Sequence, residues 1–289
     1  MNSIRTIRPD EYPALLKEAL KDAKDAPARL FIRGDLPSDD HIFLTVVGSR
    51  RHTDYGRAAC EMLVKSLRGL PVVVISGLAH GIDSIAHEAA LKYGIRTIAV
   101  PGSGLADDMI YPAAHIGLAR RILDAGGALL SPFEETVMGN NWTFPYRNRI
   151  MAGMSKATLV VEADLRSGTL ITSGYALRFN RDVFVVPGSI FSKQSAGPND
   201  LWREGATPIT SGDELVQALG FAAMTKGPEA DHADLSPDEK KAVGFLADPM
   251  SRQALIEKIG MDASEANALI SSLEIKGLIE EKLGLFRLV

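Results

Sequence analysis

The sequence predicts an α/β fold: a doubly wound, mostly parallel sheet followed by a second, smaller domain. Two patterns point to the sheet and a third to the second domain. Short apolar runs alternate with amphipathic helical patterns from residue 29 to residue 220, the order that builds a parallel sheet with helices on both faces. Most of those runs end in a glycine turn, as strands do where a ligand-binding rim forms. Past residue 220 the composition turns polar, and a Ser-Pro-Asp-Glu capping box then opens a new helical set.

Tyr12, Leu15, Leu16, Ala19 and Leu20 share one helical face. Pro27 ends that helix, and Arg29 to Ile32 reads as a short strand. The main strands follow at Phe43 to Val47, Val72 to Ile75, Thr97 to Val100, Ala128 to Leu130, Thr158 to Val161 and Val183 to Val186. Helical patterns lie at Tyr55 to Leu67, Ile82 to Tyr93, Ala113 to Leu123, Phe144 to Met154 and Thr169 to Phe179.

The chain is organised around Val72 to Gly94. Four β-branched residues, Val72 to Ile75, form a strand buried on both faces. Ser76-Gly77 breaks it, Gly81 frees the backbone again, and Ile82, Ile85, Ala86 and Ala89 recur at helical spacing until Gly94. Strand, glycine turn and helix aim backbone N–H groups and a helix dipole at an anion. His80, Asp83 and His87 fall on one face here, either as ligands or an acid–base group or as capping and packing groups. No third strong metal ligand accompanies them, which favours packing.

The other strand ends repeat the pattern. Val47 runs into Gly48-Ser49-Arg50, Val100 into Pro101 to Gly104, Val161 into Glu162 and then Arg166-Ser167-Gly168-Thr169, and Val186 into Pro187-Gly188-Ser189. A rim rich in Gly, Ser and Thr suits close backbone approach to phosphate oxygens. Gly77, Ser167, Gly168 and Thr169 are therefore candidate contacts.

Charge narrows the ligand. Net charge is −4, which excludes a basic nucleic-acid coat and leaves only a local patch. Residues 1–220 hold 24 basic and 24 acidic side chains, and the rest hold 8 and 12. Between Asn141 and Arg181, however, Arg147, Arg149, Lys156, Arg166, Arg178 and Arg181 face only Glu162 and Asp164. Arg50, Arg51 and Arg57 form a second cluster. Trp142, Phe144 and Tyr146 are interleaved with the arginines, either as core residues or as stacking platforms for a single strand.

Composition limits the rest. A hydrophobic fraction of 46% supplies a core, and the single cysteine, Cys60, excludes an internal disulfide or a multi-cysteine zinc site. No apolar run approaches the about 18 residues of a membrane span, and MNSIRTIRPDE lacks the apolar core of a signal peptide. A cytoplasmic protein without metal or cofactor is expected.

Together, GSR (48–50), SGLAHGIDSIAHEAAL (76–91), TIAVPGSGLADDMIYP (97–112), FPYRNRIMAG (144–153), VVEADLRSGTLITSGYAL (160–177) and VFVVPGS (183–189) resemble the DNA-processing protein A family (DprA/Smf). The resemblance implies a Rossmann-like domain that binds single-stranded DNA, dimerises and delivers strands to the RecA recombinase in natural transformation, without catalysis. It implies that Gly48, Ser49 and Arg50 hold phosphates and that Phe144, Arg147, Asn148 and Arg149 lie along the strand, with Lys156 on the same basic stripe. The sequence departs from the family pattern in a longer turn after Val100, in His115 at an asparagine position, in Pro132 after the Leu-Leu-Ser strand, and in Asn141.

The expected organisation is a helical N-terminal extension (1–28), a Rossmann-like domain (29–220), a linker (221–235) and a winged-helix domain (236–289). Helices at Arg252 to Ile259 and Glu265 to Lys276 and a hairpin around Gly284 describe the wing. The second of these helices carries one lysine and two glutamates, against the Arg, Lys, Asn or Gln that a major-groove reader uses. A protein-binding wing is the better reading. The alternatives for the main domain are a nucleotide sensor or a nucleotide phosphoribohydrolase-like enzyme. The latter needs a PGGxGTxxE signature that neither PGSG nor PGSI provides.

Overall fold

A computed structural model describes residues 3–21, 26–38, 40–221, 235–246, 249–276, 278–282 and 284–288. The chain divides into two compact units, Met1–Met224 and Thr225–Val289. Of the stretch expected as a linker (221–235), residues 222–234 lie outside the described residues.

In chain order the first unit contains β1 (Arg5–Ile7), α1 (Ala14–Leu20), β2 (Leu30–Gly34), β3 (Ile42–Val47), α2 (Asp54–Lys65), β4 (Val72–Ser76), α3 (Ile82–Lys92), β5 (Thr97–Ala99), α4 (Ile116–Asp124) and β6 (Ala128–Ser131). It continues with α5 (Thr143–Met154), β7 (Ala157–Val160), α6 (Thr169–Arg178), β8 (Asp182–Val185), α7 (Ala196–Arg203), β9 (Thr207–Pro208) and α8 (Gly212–Ala218). One nine-stranded sheet runs β1-β2-β6-β5-β4-β3-β7-β8-β9. All pairings from β6 to β9 are parallel, whereas β2 and β1 add antiparallel at one edge.

From β3 the chain winds outward through β4, β5 and β6, then returns to the other side of β3 and winds through β7, β8 and β9. The reversal between β3 and β7 is a topological switch point, where the two connections diverge and leave a crevice at the strands' carboxyl ends. The strand sequences fit a sheet covered on both faces. On β4, Val73 and Ile75 enter the core that contains Leu16, Ile150 and Met151, while Val72 and Val74 enter the core that contains Cys60, Leu63 and Ile85.

Among the described residues of the expected helical extension (1–28), a strand precedes the helix. Arg5–Ile7 is an edge strand registered on Leu30–Ile32, Ile7 is buried, and α1 buries Leu16 and Leu20 in the main core. A three-residue strand is too short to show a period of two, so no alternation marks it. The same brevity hid β9. In the Ala113 to Leu123 pattern, residues 113–115 form a tight 3₁₀ turn and α4 starts at Ile116.

The second unit contains α9 (Pro237–Phe245), β10 (Met250–Ser251), α10 (Arg252–Ile259), α11 (Ala263–Ile275), β11 (Ile279–Lys282) and β12 (Leu285–Leu288), with sheet order β10-β12-β11. This is the winged-helix arrangement. The Ser236/Glu239 capping box forms: Ser236 N donates to Glu239 Oε2 at 2.9 Å and Glu239 N donates to Ser236 Oγ at 3.2 Å. Leu255, Ile270, Leu273 and Phe286 build its core. Among the described residues, no helix is long and apolar enough to cross a membrane.

Candidate nucleic-acid interface

At the switch point a cleft of about 550 Å³ opens between the turn after β3 and the turn after β7. Gly48, Ser49, Arg50 and Arg51 line one wall, and Asp164, Arg166, Ser167, Gly168 and Thr169 line the other. Helix α5 forms the floor through Phe144, Arg147, Asn148 and Met151, residues spaced by three and four along one helical face. Thr169 Oγ1 donates to the Gly48 carbonyl at 3.1 Å and ties the two walls together. Gly48 has to be glycine because a β-carbon there would meet the Ile82 side chain at 2.6 Å.

The expectation of five open glycine turns reduces to two. The turn after β4 is filled: Gly77 packs against the Arg147 guanidinium, which a β-carbon would displace. The turn after β5 is covered, with Gly104 against the carbonyls of Glu134 and Glu135 and Gly102 against the Phe144 ring. The turn after β8 is pinned by Asn199, which accepts from Gly188 N at 3.2 Å and donates to Gly188 O at 3.0 Å.

The basic stripe is likewise dispersed, because helical and strand geometry send its members in different directions. Arg147 is 4% exposed. Its Nε donates to Asn148 Oδ1 at 2.8 Å, its Nη1 donates to the Val100 carbonyl, and its Nη2 lies 3.9 Å from Asp83 Oδ2. Burial pulls its pKa down to about 10, with Asp83 opposing that shift. Arg149 is buried off the cleft, with its guanidinium 3.9 Å from the Tyr146 ring centroid. Lys156 precedes β7, at the amino rather than the carboxyl end of the sheet, and donates to the Leu219 carbonyl at 2.8 Å. Arg181 pairs with Glu18 at 2.9 Å. Gly77, Arg149 and Lys156 therefore do not line the cleft. The other nine expected site residues do: Gly48, Ser49, Arg50, Phe144, Arg147, Asn148, Ser167, Gly168 and Thr169.

Three exposed arginines remain at the cleft: Arg50, Arg51 and Arg166. Arg50 lies over the Phe144 ring, 5.2 Å from guanidinium carbon to centroid, a cation–π contact. Arg51 and Arg166 were visible in the sequence as members of charged clusters, but only the fold shows that they face one another. Ile171 and Gln194 complete the lining without any sequence signal.

The His80, Asp83 and His87 set resolves as packing and capping groups. His80 is exposed before α3. His87 is fully buried, with Nδ1 2.7 Å from Thr97 Oγ1. Because Thr97 Oγ1 donates to the Val74 carbonyl at 2.8 Å, it accepts from a neutral His87. Burial lowers the His87 pKa to about 3. Asp83 is buried, which raises its pKa, while Arg147 opposes the rise. No group of His, Cys, Asp or Glu among the described residues is arranged to hold a metal ion. Glu162, at the end of β7, accepts from Thr53 Oγ1 at 2.6 Å and Thr53 N at 2.9 Å, beside the start of α2. His115, the departure from the asparagine pattern, donates from Nδ1 to the Leu78 carbonyl at 2.7 Å and fixes the turn before α3.

Residues 3–220 match the family model described as DNA recombination-mediator protein A, and residues 226–284 match a DprA winged helix domain. Protein Smf of Escherichia coli K12 is 37% identical over 265 residues, which is 88% of this chain and 70% of that protein. DNA processing protein DprA of Streptococcus pneumoniae is 40% identical over 219 residues, covering 75% of this chain and 74% of that one. The solved structure of DprA from S. pneumoniae superposes with a TM-score of 0.67 at 38% identity, over 76% of this chain and 75% of that one. DNA processing protein A from Helicobacter pylori, solved for its single-stranded DNA binding mode, superposes with a TM-score of 0.66 at 28% identity, over 76% of this chain and 98% of that one. The chain belongs to the DNA recombination-mediator protein A family.

Proposed function

We propose that this protein binds single-stranded DNA in the cleft at the β3/β7 switch point and acts there without catalysis. The observation that carries the proposal is the convergence of Arg50, Arg51 and Arg166 on that cleft. None of the three is in ion-pair contact with a carboxylate among the described residues. Such arginines take phosphate oxygens through paired N–H donors. The Gly48 to Arg50 and Ser167 to Thr169 turns supply close backbone approach, and the Phe144 ring holds the Arg50 guanidinium beside the phosphate track. These arginines and turns offer contacts to phosphates, so we read the recognition as one of the strand's backbone.

The charged groups beneath the cleft support a binding role. Asp83 and Arg147 hold each other, and Glu162 is engaged by Thr53. Asp164, on the wall, is exposed, and we read the cleft as a binding surface rather than a phosphoribohydrolase site. We further propose that the protein works as a homodimer that passes its strand to the RecA recombinase during natural transformation. The almost fully exposed Ile190 and Phe191 provide apolar surface for such association.

A gel-shift series with single strand, duplex of the same sequence and free mononucleotides tests the reading. Single strand is expected to bind tightest, and incubation with nucleoside monophosphates is expected to release no base above a buffer control. Preference for free nucleotides, or release of base, would overturn it.

A further inference from the structure

We propose that Tyr111 is a base-stacking platform that continues the strand path beyond the cleft, an inference that rests on the strand-binding reading above. The Phe144 ring is already in use. The Arg50 guanidinium lies over it at 5.2 Å, and its edges are packed by Gly102 and by Gly139, whose β-carbon would sit 3.3 Å from Phe144 Cζ. Phe144 is thus a pedestal that positions Arg50 at the phosphate track. Tyr111 also packs against Phe144, with ring centroids 5.6 Å apart and planes tilted by 43°, and it is not part of the cleft lining. Arg50, Phe144 and Tyr111 are thus contiguous: cation, covered ring, open ring.

Tyr111 is 48% exposed, yet it sits between Ile110 and Pro112, both buried. The loop beneath is held from several directions. Met109 N and Ile110 N both donate to the Ala106 carbonyl, at 2.9 and 3.2 Å, and Asp107 is gripped by Arg33 and Arg120. A ring fixed from below and open above loses little conformational freedom when a base covers it, which is what a preorganised stacking surface requires. Every base offers a π-face, so such a platform is tolerant of sequence. The occupant is a base of the strand whose phosphate Arg50 holds, or of its neighbour.

The test is equilibrium binding of a thymidylate oligomer to the full chain across a salt series. Tyr111→Leu keeps an apolar contact on Phe144 but removes the ring, and it is expected to weaken binding about tenfold, up to about a hundredfold. The slope of log K against log salt should not change, because stacking releases no counterions. Tyr111→Phe should bind within about twofold of wild type. Wild-type affinity in Tyr111→Leu would overturn the proposal, and so would a flattened slope, which would mean that Tyr111 acts only by placing Arg50. Failure of the underlying reading looks different: Arg50→Ala would then leave the slope unaltered. If Tyr111→Leu does not fold, photo-crosslinking of wild type to an oligomer carrying 5-iododeoxyuridine decides. Attachment at Tyr111 supports the platform, and attachment only elsewhere removes it.

Discussion

The cleft of the first unit and the winged-helix unit both contain arginine, and they use it in opposite ways. In the cleft, Arg50, Arg51 and Arg166 are exposed, and the partner of Arg50 is a ring rather than a carboxylate. In the winged-helix unit, Arg252 donates to Asn267 Oδ1 at 3.0 Å, lies 3.7 and 3.6 Å from Glu274 and Glu281, and covers Phe286. Lys276 is bound to Glu239 and Arg287 to Glu280. The outward residues of α11 are Ser264, Glu265, Ala268 and Ser271, with no cation before Lys276. A cation already matched to a carboxylate must give up that partner to take a phosphate, whereas an unmatched one exchanges only water and counterions. Pairing, more than net charge, sets the cleft arginines apart from those of the winged-helix unit.

The largest expected effect comes from the cation that looks like part of the first class but belongs to neither. Arg147→Met leaves Asp83 buried without its partner and frees the Val100 carbonyl, so it should cost about 3–5 kcal/mol of stability. A chemical denaturation midpoint reads this directly. A variant as stable as wild type would return Arg147 to the strand-contacting set.

Next is the coupling between Arg50 and Phe144. Single substitutions to Ala should each weaken single-strand binding, Phe144→Ala by about 0.5–2 kcal/mol through loss of the ring that holds Arg50. The double variant should lose clearly less than the sum, because removing the pedestal already displaces the guanidinium. Additive losses would show that ring and cation act separately.

A pH series sharpens the other side of the comparison. Hydrogen bonds from Lys276, Ser236 N and Ser272 hold the Glu239 pKa at about 2 against an ordinary 4.5. A folded-state value below the unfolded one means that the ionised carboxylate stabilises the winged-helix unit above about pH 4.5 and loses that contribution as pH falls toward 2. Followed by NMR signals of α9 and α11, wild type should therefore exceed Glu239→Gln at neutral pH, and the gap should close in acid. A gap independent of pH would contradict the assignment. Smaller still, truncation after Phe221 should change single-strand affinity by less than about threefold, since the three exposed arginines lie upstream. A collapse in a truncated chain that still folds would place the site elsewhere.

The strand pattern and the Gly48 and Gly168 turns were legible because each is local in sequence. The capping box at Ser236 was legible for the same reason. The switch between β3 and β7 pairs strands far apart in the chain and left no local mark. Where the reading failed, the cause was orientation. Arg147, Arg149 and Lys156 look like one stripe along the chain, but a helix turns two of them into separate buried environments, and a strand start puts the third at the far end of the sheet. Gly77 reads as a phosphate turn until the Arg147 side chain is seen to fill it. Tyr111 was legible only as part of the segment 97–112, since its meaning depends on Phe144, which is distant in sequence and adjacent in space.

The most direct test compares the salt dependence of thymidylate-oligomer binding in wild type, Arg50→Ala and Arg252→Ala. If unmatched cations at the switch point hold the phosphates, Arg50→Ala flattens the slope of log K against log salt by about 0.7, and Arg252→Ala leaves it as in wild type. A slope unaltered by Arg50→Ala, or flattened by Arg252→Ala, would contradict the placement of the strand in this cleft.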